Sequence, residues 1–374
     1  MYSVFKIFAS VCLIALLSSA QIYSSVRFKE SCFDSISTRM DIYYRTAPDY
    51  KTNPDSLFMD FYEPKNDTAS LRPVIIMLYG GSFVKGSRKD TLITTYSSYF
   101  AKCGYTVCAI DYRIGIDSNT LFPQYEVPKA LFRAIQDSRA AVRFIRKNAS
   151  ILKIDSTRIF GMGYSAGAIT LIHHSYVDTA EAGKNLLLSA ATAMLGSMDQ
   201  GEDLKYSSNI NCIINCCGAI ADTSWIKSGE TPILSFHGTA DQIVPYGKGY
   251  INNDTATIIM FGSSILDLKA KSLGIVSQLF SFEGADHYLT GEPRITIPIS
   301  TVNFLYGFLN NSGIRNRTSF TVSRIPSNQK ICNQYFDIAG RLIKNQSMLS
   351  SALIVHRDNN NVQNYLSLRT KSTR

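Results

Sequence analysis

The stretch RIFGMGYSAGAITLI, residues 158–172, holds a serine between glycines two positions to either side. The β-prone run RIF precedes it and a helical pattern, SAGAITLIHHSYV, follows it, so the segment reads as strand, tight turn, helix. Gly163 and Gly167 have no Cβ, which lets strand and helix pack closely around a serine with a strained backbone. Ser165 is then placed at a helix N-terminus, on the C-terminal edge of a sheet. The amide of Ala166 points where a carbonyl oxygen would gain charge. The pattern G-x-S-x-G is short, and its meaning depends on what surrounds it.

Outward from this turn the chain alternates two kinds of segment. PVIIMLYGGSF (73–83), GYTVCAIDYR (104–113), NINCIINCCGAI (209–220), TPILSFHG (231–238) and SQLFSFEG (277–284) are apolar runs without alternation. Such runs suit strands buried on both faces of a parallel sheet. Between them lie helical patterns. Residues 127–149 put Leu131, Ile135, Ala141, Val142 and Ile145 on one stripe with Arg and Lys elsewhere, and ITIPISTVNFLYGFLNN (295–311) reads as a last helix with Pro298 near its start. Strand alternating with helix over most of the chain predicts an α/β fold with a mostly parallel sheet.

The ends differ from the body. Residues 1–20 carry one charge, Lys6, then the apolar run IFASVCLIALLSS and small residues at Ser18 and Ala20. This reads as a secretory signal cleaved after Ala20. From Arg315 to Arg374 the chain is Asn/Ser/Arg-rich with short β-prone pieces, SFTV, NQYFDIAG, RLIK, ALIVH and YLSL, which predict a small β appendage. The expected organisation is therefore a signal over 1–20, a catalytic α/β body over 21–314 and a basic tail over 315–374.

Of the net charge of +9, the tail supplies ten Lys+Arg against two Asp+Glu, and residues 21–314 carry 27 of each sign. The basic balance thus says nothing about the body's substrate, and no basic-aromatic pattern points to nucleic acid. Of the eight cysteines, Cys12 lies in the signal, which leaves an odd number in the mature chain and at least one thiol free or intermolecular. Cys212, Cys216 and Cys217 read as core thiols. With no paired C-x-x-C spacing and five histidines, the chain implies no metal or cofactor.

A serine hydroxyl at neutral pH needs an imidazole to take its proton. His173 and His174 share the helix that follows Ser165 and point along it or away. His237, in FHGTAD at a strand end, reads as a packed structural histidine. His287, in EGADHYL between the last strand and the last helix, is the best base. The imidazole needs a carboxylate to fix its tautomer. Asp241 in HGTADQIVPY is the best placed, with Asp222 in GAIADTSW its rival; Asp286 adjoins His287 too closely. LYGGSFVKGS (78–87) supplies a glycine-rich turn after a strong strand, whose Gly81 and Ser82 amides can face a substrate oxygen.

With these residues in place, the chain resembles the α/β-hydrolase serine esterases, especially their carboxylesterase and lipase branch. YGGSF (79–83) looks like the branch's H-G-G-G-F oxyanion motif, with Tyr79 where His is usual and Ser82 for the third glycine. GYSAG resembles its elbow, and HGTADQIVPY and GADHY its acid and base loops. The likeness covers about residues 45–312, with the motifs in the family's order. It implies Ser165 as nucleophile, Asp241 as acid, His287 as base, and Gly81, Ser82 and Ala166 as oxyanion donors. It also implies hydrolysis of carboxylic esters; an exported esterase with a sorting tail would suit acetyl or feruloyl esters of plant polysaccharide, and the alternative is a short-chain lipase or general carboxylesterase. A reading of another class is a non-catalytic binding protein on an esterase scaffold. In the tail, NQYFDIAGRLIKN (333–345) with SALIVHRD (351–358) resembles a type IX secretion sorting domain, which implies the secretion machinery as partner and a place in the medium or on the cell surface.

Overall fold

The computed structural model describes residues 27–117, 119, 125–255 and 257–310, together with three strands further along the chain. Two long strands come first, β1 (Ile36–Pro48) and β2 (Pro54–Pro64). The turn between them is built by Asp49, whose Oδ1 accepts the amides of Lys51 at 2.7 Å and Asn53 at 2.8 Å. Strand β3 (Arg72–Leu78), helix α1 (Thr91–Lys102), strand β4 (Thr106–Ile110) and the long helix α2 (Glu126–Lys147) follow. A single turn, α3 (Ala149–Leu152), leads into β5 (Ile154–Tyr164) and α4 (Ala166–Tyr176). Helices α5 (Thr179–Lys184) and α6 (Leu186–Leu195) precede β6 (Cys212–Cys216), β7 (Ala219–Ile220) and β8 (Ile233–Gly238). Next come β9 (Lys248–Tyr250), β10 (Ile259–Gly262), α7 (Ser263–Ser272), β11 (Ser277–Phe282) and α8 (Glu292–Asn310).

Eight strands form one sheet in the order β1-β2-β4-β3-β5-β6-β8-β11. The pairs β1–β2 and β2–β4 are antiparallel; every later pair is parallel. The apolar runs explain this. All residues of β3, β4, β6 and β8 are buried, so both sheet faces are covered by helices. From β3 the chain goes to β4 on one side and then returns to β5 on the other. That reversal opens a crevice at the carboxyl ends of β3 and β5, where open α/β sheets bind ligands. The turn after β3 holds Gly80 and Gly81, and the turn after β5 holds Ser165.

Three expectations are corrected. The run 209–220 is not one strand. It divides at Cys217, whose φ is 54°, because Gly218 donates its amide back to Asn215 Oδ1 at 2.8 Å. Strand β6 stays in the main sheet, while β7 joins a separate antiparallel sheet in the order β7-β10-β9. The last helix begins at Glu292, so Pro298 lies inside it rather than near its start. Proline has no N–H to offer the carbonyl four residues back. That carbonyl, of Arg294, instead accepts the Tyr96 hydroxyl at 3.2 Å. On α2 the apolar stripe is buried as expected, but Arg133, Arg139 and Arg143 are buried too. Arg139 and Arg143 reach Asp199 at 2.7 and 3.0 Å, and Gln136 Nε2 donates to the carbonyls of Leu195 and Ser197 at 3.0 and 2.8 Å. These bonds pin the α5–α6 region onto α2.

Beyond residue 314 the described residues form an antiparallel sheet of β12 (Cys332–Phe336), β13 (Leu353–Asp358) and β14 (Asn361–Val362). The expected signal over 1–20 and the pieces SFTV, RLIK and YLSL lie outside the described residues. Among the described residues no helix is long and apolar enough to cross a membrane.

Candidate active site

The turn between β5 and α4 is as tight as its glycines suggest. A Cβ on Gly163 would stand 2.4 Å from the backbone of Gly167, and one on Gly167 would stand 2.4 Å from the Leu78 carbonyl oxygen. Ser165 between them has φ 53° and ψ −119°, a conformation side-chain-bearing residues rarely take. Two bonds hold it there: its amide donates to Cys216 O at 2.8 Å, and its carbonyl accepts Ile169 N at 2.9 Å, starting α4.

The loop after β11 brings His287 over this serine. His287 Nε2 lies 2.8 Å from Ser165 Oγ, and Nδ1 lies 2.6 Å from Asp241 Oδ2. Asp241 follows β8, and its Oδ1 accepts the amides of Ile243 and Val244 at 2.8 and 2.9 Å. All three side chains are buried, and Ser165 is only 7% exposed. Burial alone would raise the Asp241 carboxyl. Hydrogen bonds from His237 and His287, the His287 charge and the backbone donors outweigh it and hold the group well below the usual carboxylate range.

His287 is held from behind by its own carbonyl. His287 O accepts the Tyr164 hydroxyl at 2.5 Å and faces Cys217 Sγ at 3.5 Å. Tyr164 precedes the serine and Cys217 follows the strand beside it, so Ser165 and His287 share supports. Tyr164 adjoins Ser165 in the chain, while Cys217 and His287 are brought to it by the fold.

Of the remaining candidates, only His237 touches this line, through Asp241. Asp222 accepts the Ser224 amide in a local turn, and exposed Asp286 accepts that of Tyr288. His173 is buried against Trp225, with Nδ1 2.7 Å from Ile169 O. His174 bridges Ser138 Oγ and Ser208 O, each at 2.8 Å. His237 is fully buried, with its ring edge-on to Tyr246.

The turn after β3 lies against the elbow. A Cβ on Gly80 would stand 3.0 Å from Ser165 Cβ. Gly81, Ser82 and Phe83 have φ of 121°, 56° and 62° in succession, and Gly81 O accepts the amides of Val84 and Lys85 at 3.0 and 3.1 Å. The amides of Gly81, Ser82 and Ala166 donate to no acceptor among the described residues. Tyr79 stacks on Tyr112 at 4.4 Å, and each hydroxyl donates to the other's carbonyl, at 3.3 and 2.8 Å.

Among the described residues, Cys217, Asp241 and His287 offer ligand atoms within 4.8 Å of one another. The 2.6 Å bond between Asp241 and His287 closes the space a cation needs, and burial pushes the Cys217 thiol up, away from the thiolate. This donor set fits proton transfer better than a metal.

Known proteins agree with the architecture. The BD-FAE family model matches residues 59–219. Human carboxylesterase 5A is 26% identical over 182 residues, 47% of this chain and 30% of its own length. Acetylcholinesterase 1 of Caenorhabditis briggsae is 27% identical over 232 residues, 55% of this chain and 36% of its own. The chain thus spans about a third of the length of these curated relatives. Among solved structures, Thermogutta terrifontis esterase 2 phosphorylated by paraoxon superposes with a TM-score of 0.51 at 22% identity, covering 73% of this chain and 93% of that one. The fold is that of the α/β hydrolases.

Proposed function

We propose that this chain hydrolyses carboxylic esters through an acyl-enzyme on Ser165. The observation that carries the reading is the unbroken line from Ser165 Oγ to His287 at 2.8 Å and on to Asp241 at 2.6 Å. His287 Nε2 takes the serine proton as Oγ attacks the ester carbonyl. The amides of Ala166, Gly81 and Ser82 receive the oxyanion, and His287 returns the proton to the leaving alcohol. Water, deprotonated by the same nitrogen, then releases the acid. Asp241, held ionised, keeps the Nδ1 proton facing it and stabilises the imidazolium.

Ser165→Ala is expected to lower kcat on a short p-nitrophenyl ester by about four orders of magnitude or more. A fluorophosphonate probe should label the parent chain and not the variant. Paraoxon phosphorylates the Thermogutta esterase, and the same reagent is expected to add one phosphoryl group here, read by intact mass. Full activity in Ser165→Ala would falsify the reading, and an unlabelled parent chain favours a binding protein on an esterase scaffold.

For the substrate we infer acetyl or feruloyl esters of plant polysaccharide, with small soluble esters as the rival. A chain-length series of p-nitrophenyl esters beside acetylated xylan and methyl ferulate separates the two. Export through the signal over 1–20 and sorting through the tail belong to the same proposal. Its check is the N-terminal residue and mass of the protein recovered from the medium or cell surface.

A further inference from the structure

The Asp241 carboxylate receives four hydrogen bonds, and one comes from a histidine that the proposed chemistry does not use. Oδ1 takes the Ile243 and Val244 amides; Oδ2 faces His287 Nδ1 at 2.6 Å and His237 Nε2 at 3.1 Å. An ionised carboxylate offers about four lone-pair sites, so this one is saturated.

Behind His237 runs a buried chain of polar groups. Its Nδ1 lies 2.7 Å from Ser263 Oγ, at the start of α7. Asn215 Nδ2 donates to Ser263 Oγ and to Ser235 Oγ, each at 3.0 Å, while Asn215 Oδ1 accepts the Gly218 amide at 2.8 Å. Asn215, Ser235, Ser263 and His237 are all fully buried. The Gly218 N–H identifies which end of the Asn215 amide is oxygen, so its NH₂ faces Ser263. Ser263, accepting there, has its own proton to donate to His237 Nδ1. The ring proton therefore sits on Nε2, aimed at Asp241 Oδ2 and at Val244 O, 3.1 Å away.

We propose that His237 is a positioning residue for the acid. Its donor, fixed in one tautomer by Ser263 and Asn215, keeps Oδ2 from swinging out of line with His287. The proposal rests on the reading of Ser165, His287 and Asp241 as a catalytic line. A histidine that merely filled space here would be replaceable by an apolar ring of similar volume. One that positions the acid is replaceable only by a side chain with a donor at the same point, and glutamine brings its amide nitrogen there.

The test compares His237→Phe, His237→Gln and Ser263→Ala in the full chain, with kcat and KM on a short p-nitrophenyl ester, melting temperature, and the low-field proton resonance of the His287–Asp241 bond. His237→Phe is expected to cut kcat by about 10–100-fold, the usual cost of losing a group that orients an active-site side chain. KM should stay within about twofold, since substrate binding is not touched. The low-field resonance should weaken or move, and His237→Gln should recover most of kcat. Unchanged kcat in His237→Phe overturns the proposal, as does an equal fall in both variants that follows melting temperature. Should His237→Phe not fold, Ser263→Ala decides: a kcat fall of about threefold or more supports the tautomer lock and an unchanged kcat overturns it. Activity surviving in Ser165→Ala is the separate sign that the catalytic reading itself has failed.

Discussion

At the scale of single residues, the charge of Asp241 matters as much as its position. Asparagine has the same shape but must offer an NH₂ to donors that already point at it, and it turns the His287 ring to the wrong tautomer. Asp241→Asn is expected to lower kcat by about 10⁴-fold and also to lower the melting temperature, checked by steady-state kinetics beside thermal unfolding. The adjacency of Ser165, Asp241 and His287 was legible in the chain because each sits in a short local pattern after a strand. The bond from Tyr164 to the His287 carbonyl was not legible, nor were Cys217, Asn215 and Ser263 as neighbours of that site. Ser263 reaches His237 from 26 residues away, and no feature of GSSIL announces the meeting.

At the scale of elements, the fully buried strands were readable because apolar runs admit few other environments. Strands β1 and β2 were missed, since β1 is mostly exposed or half-buried and carries charges along its length. Helix α1, TLITTYSSYFAK, was also missed, because its threonines and aromatics are weak helix formers and burial of Ile93, Tyr96 and Phe100 decides the matter. That helix has a second role, through the bond from Tyr96 to the carbonyl that Pro298 leaves open in α8. Tyr96→Phe keeps the ring and removes the bond to the Arg294 carbonyl, at a cost of about 0.5–1.5 kcal/mol. Chemical denaturation should show that loss, while kcat on a small ester stays near the parent value.

At the scale of the whole molecule, two buried histidines set a limit in acid. Burial lowers His173 to about 4 and His174 to about 3. The unfolded chain protonates both near their ordinary value of about 6.5. The sign follows: stability is full above about pH 6.5 and is lost as pH falls, by about 1.4 kcal/mol per pH unit for each imidazole protonated only in the unfolded chain. Melting temperature is expected to drop steadily from pH 6.5 to 4, and His174→Gln should flatten the slope. An unchanged slope in that variant counts against the assignment. Neither histidine touches the Ser165 line, so this loss concerns folding rather than chemistry.

The backbone of Ser165 also limits what the lineage of this protein can become. At φ 53° and ψ −119° a residue branched at Cβ meets its own main chain, whatever space the pocket offers. Threonine is therefore closed to the place of the proposed nucleophile, although its hydroxyl has suitable chemistry, and cysteine is the one isosteric alternative. On the proposed chemistry, a change of acyl group then falls to the surrounding loops rather than to the elbow.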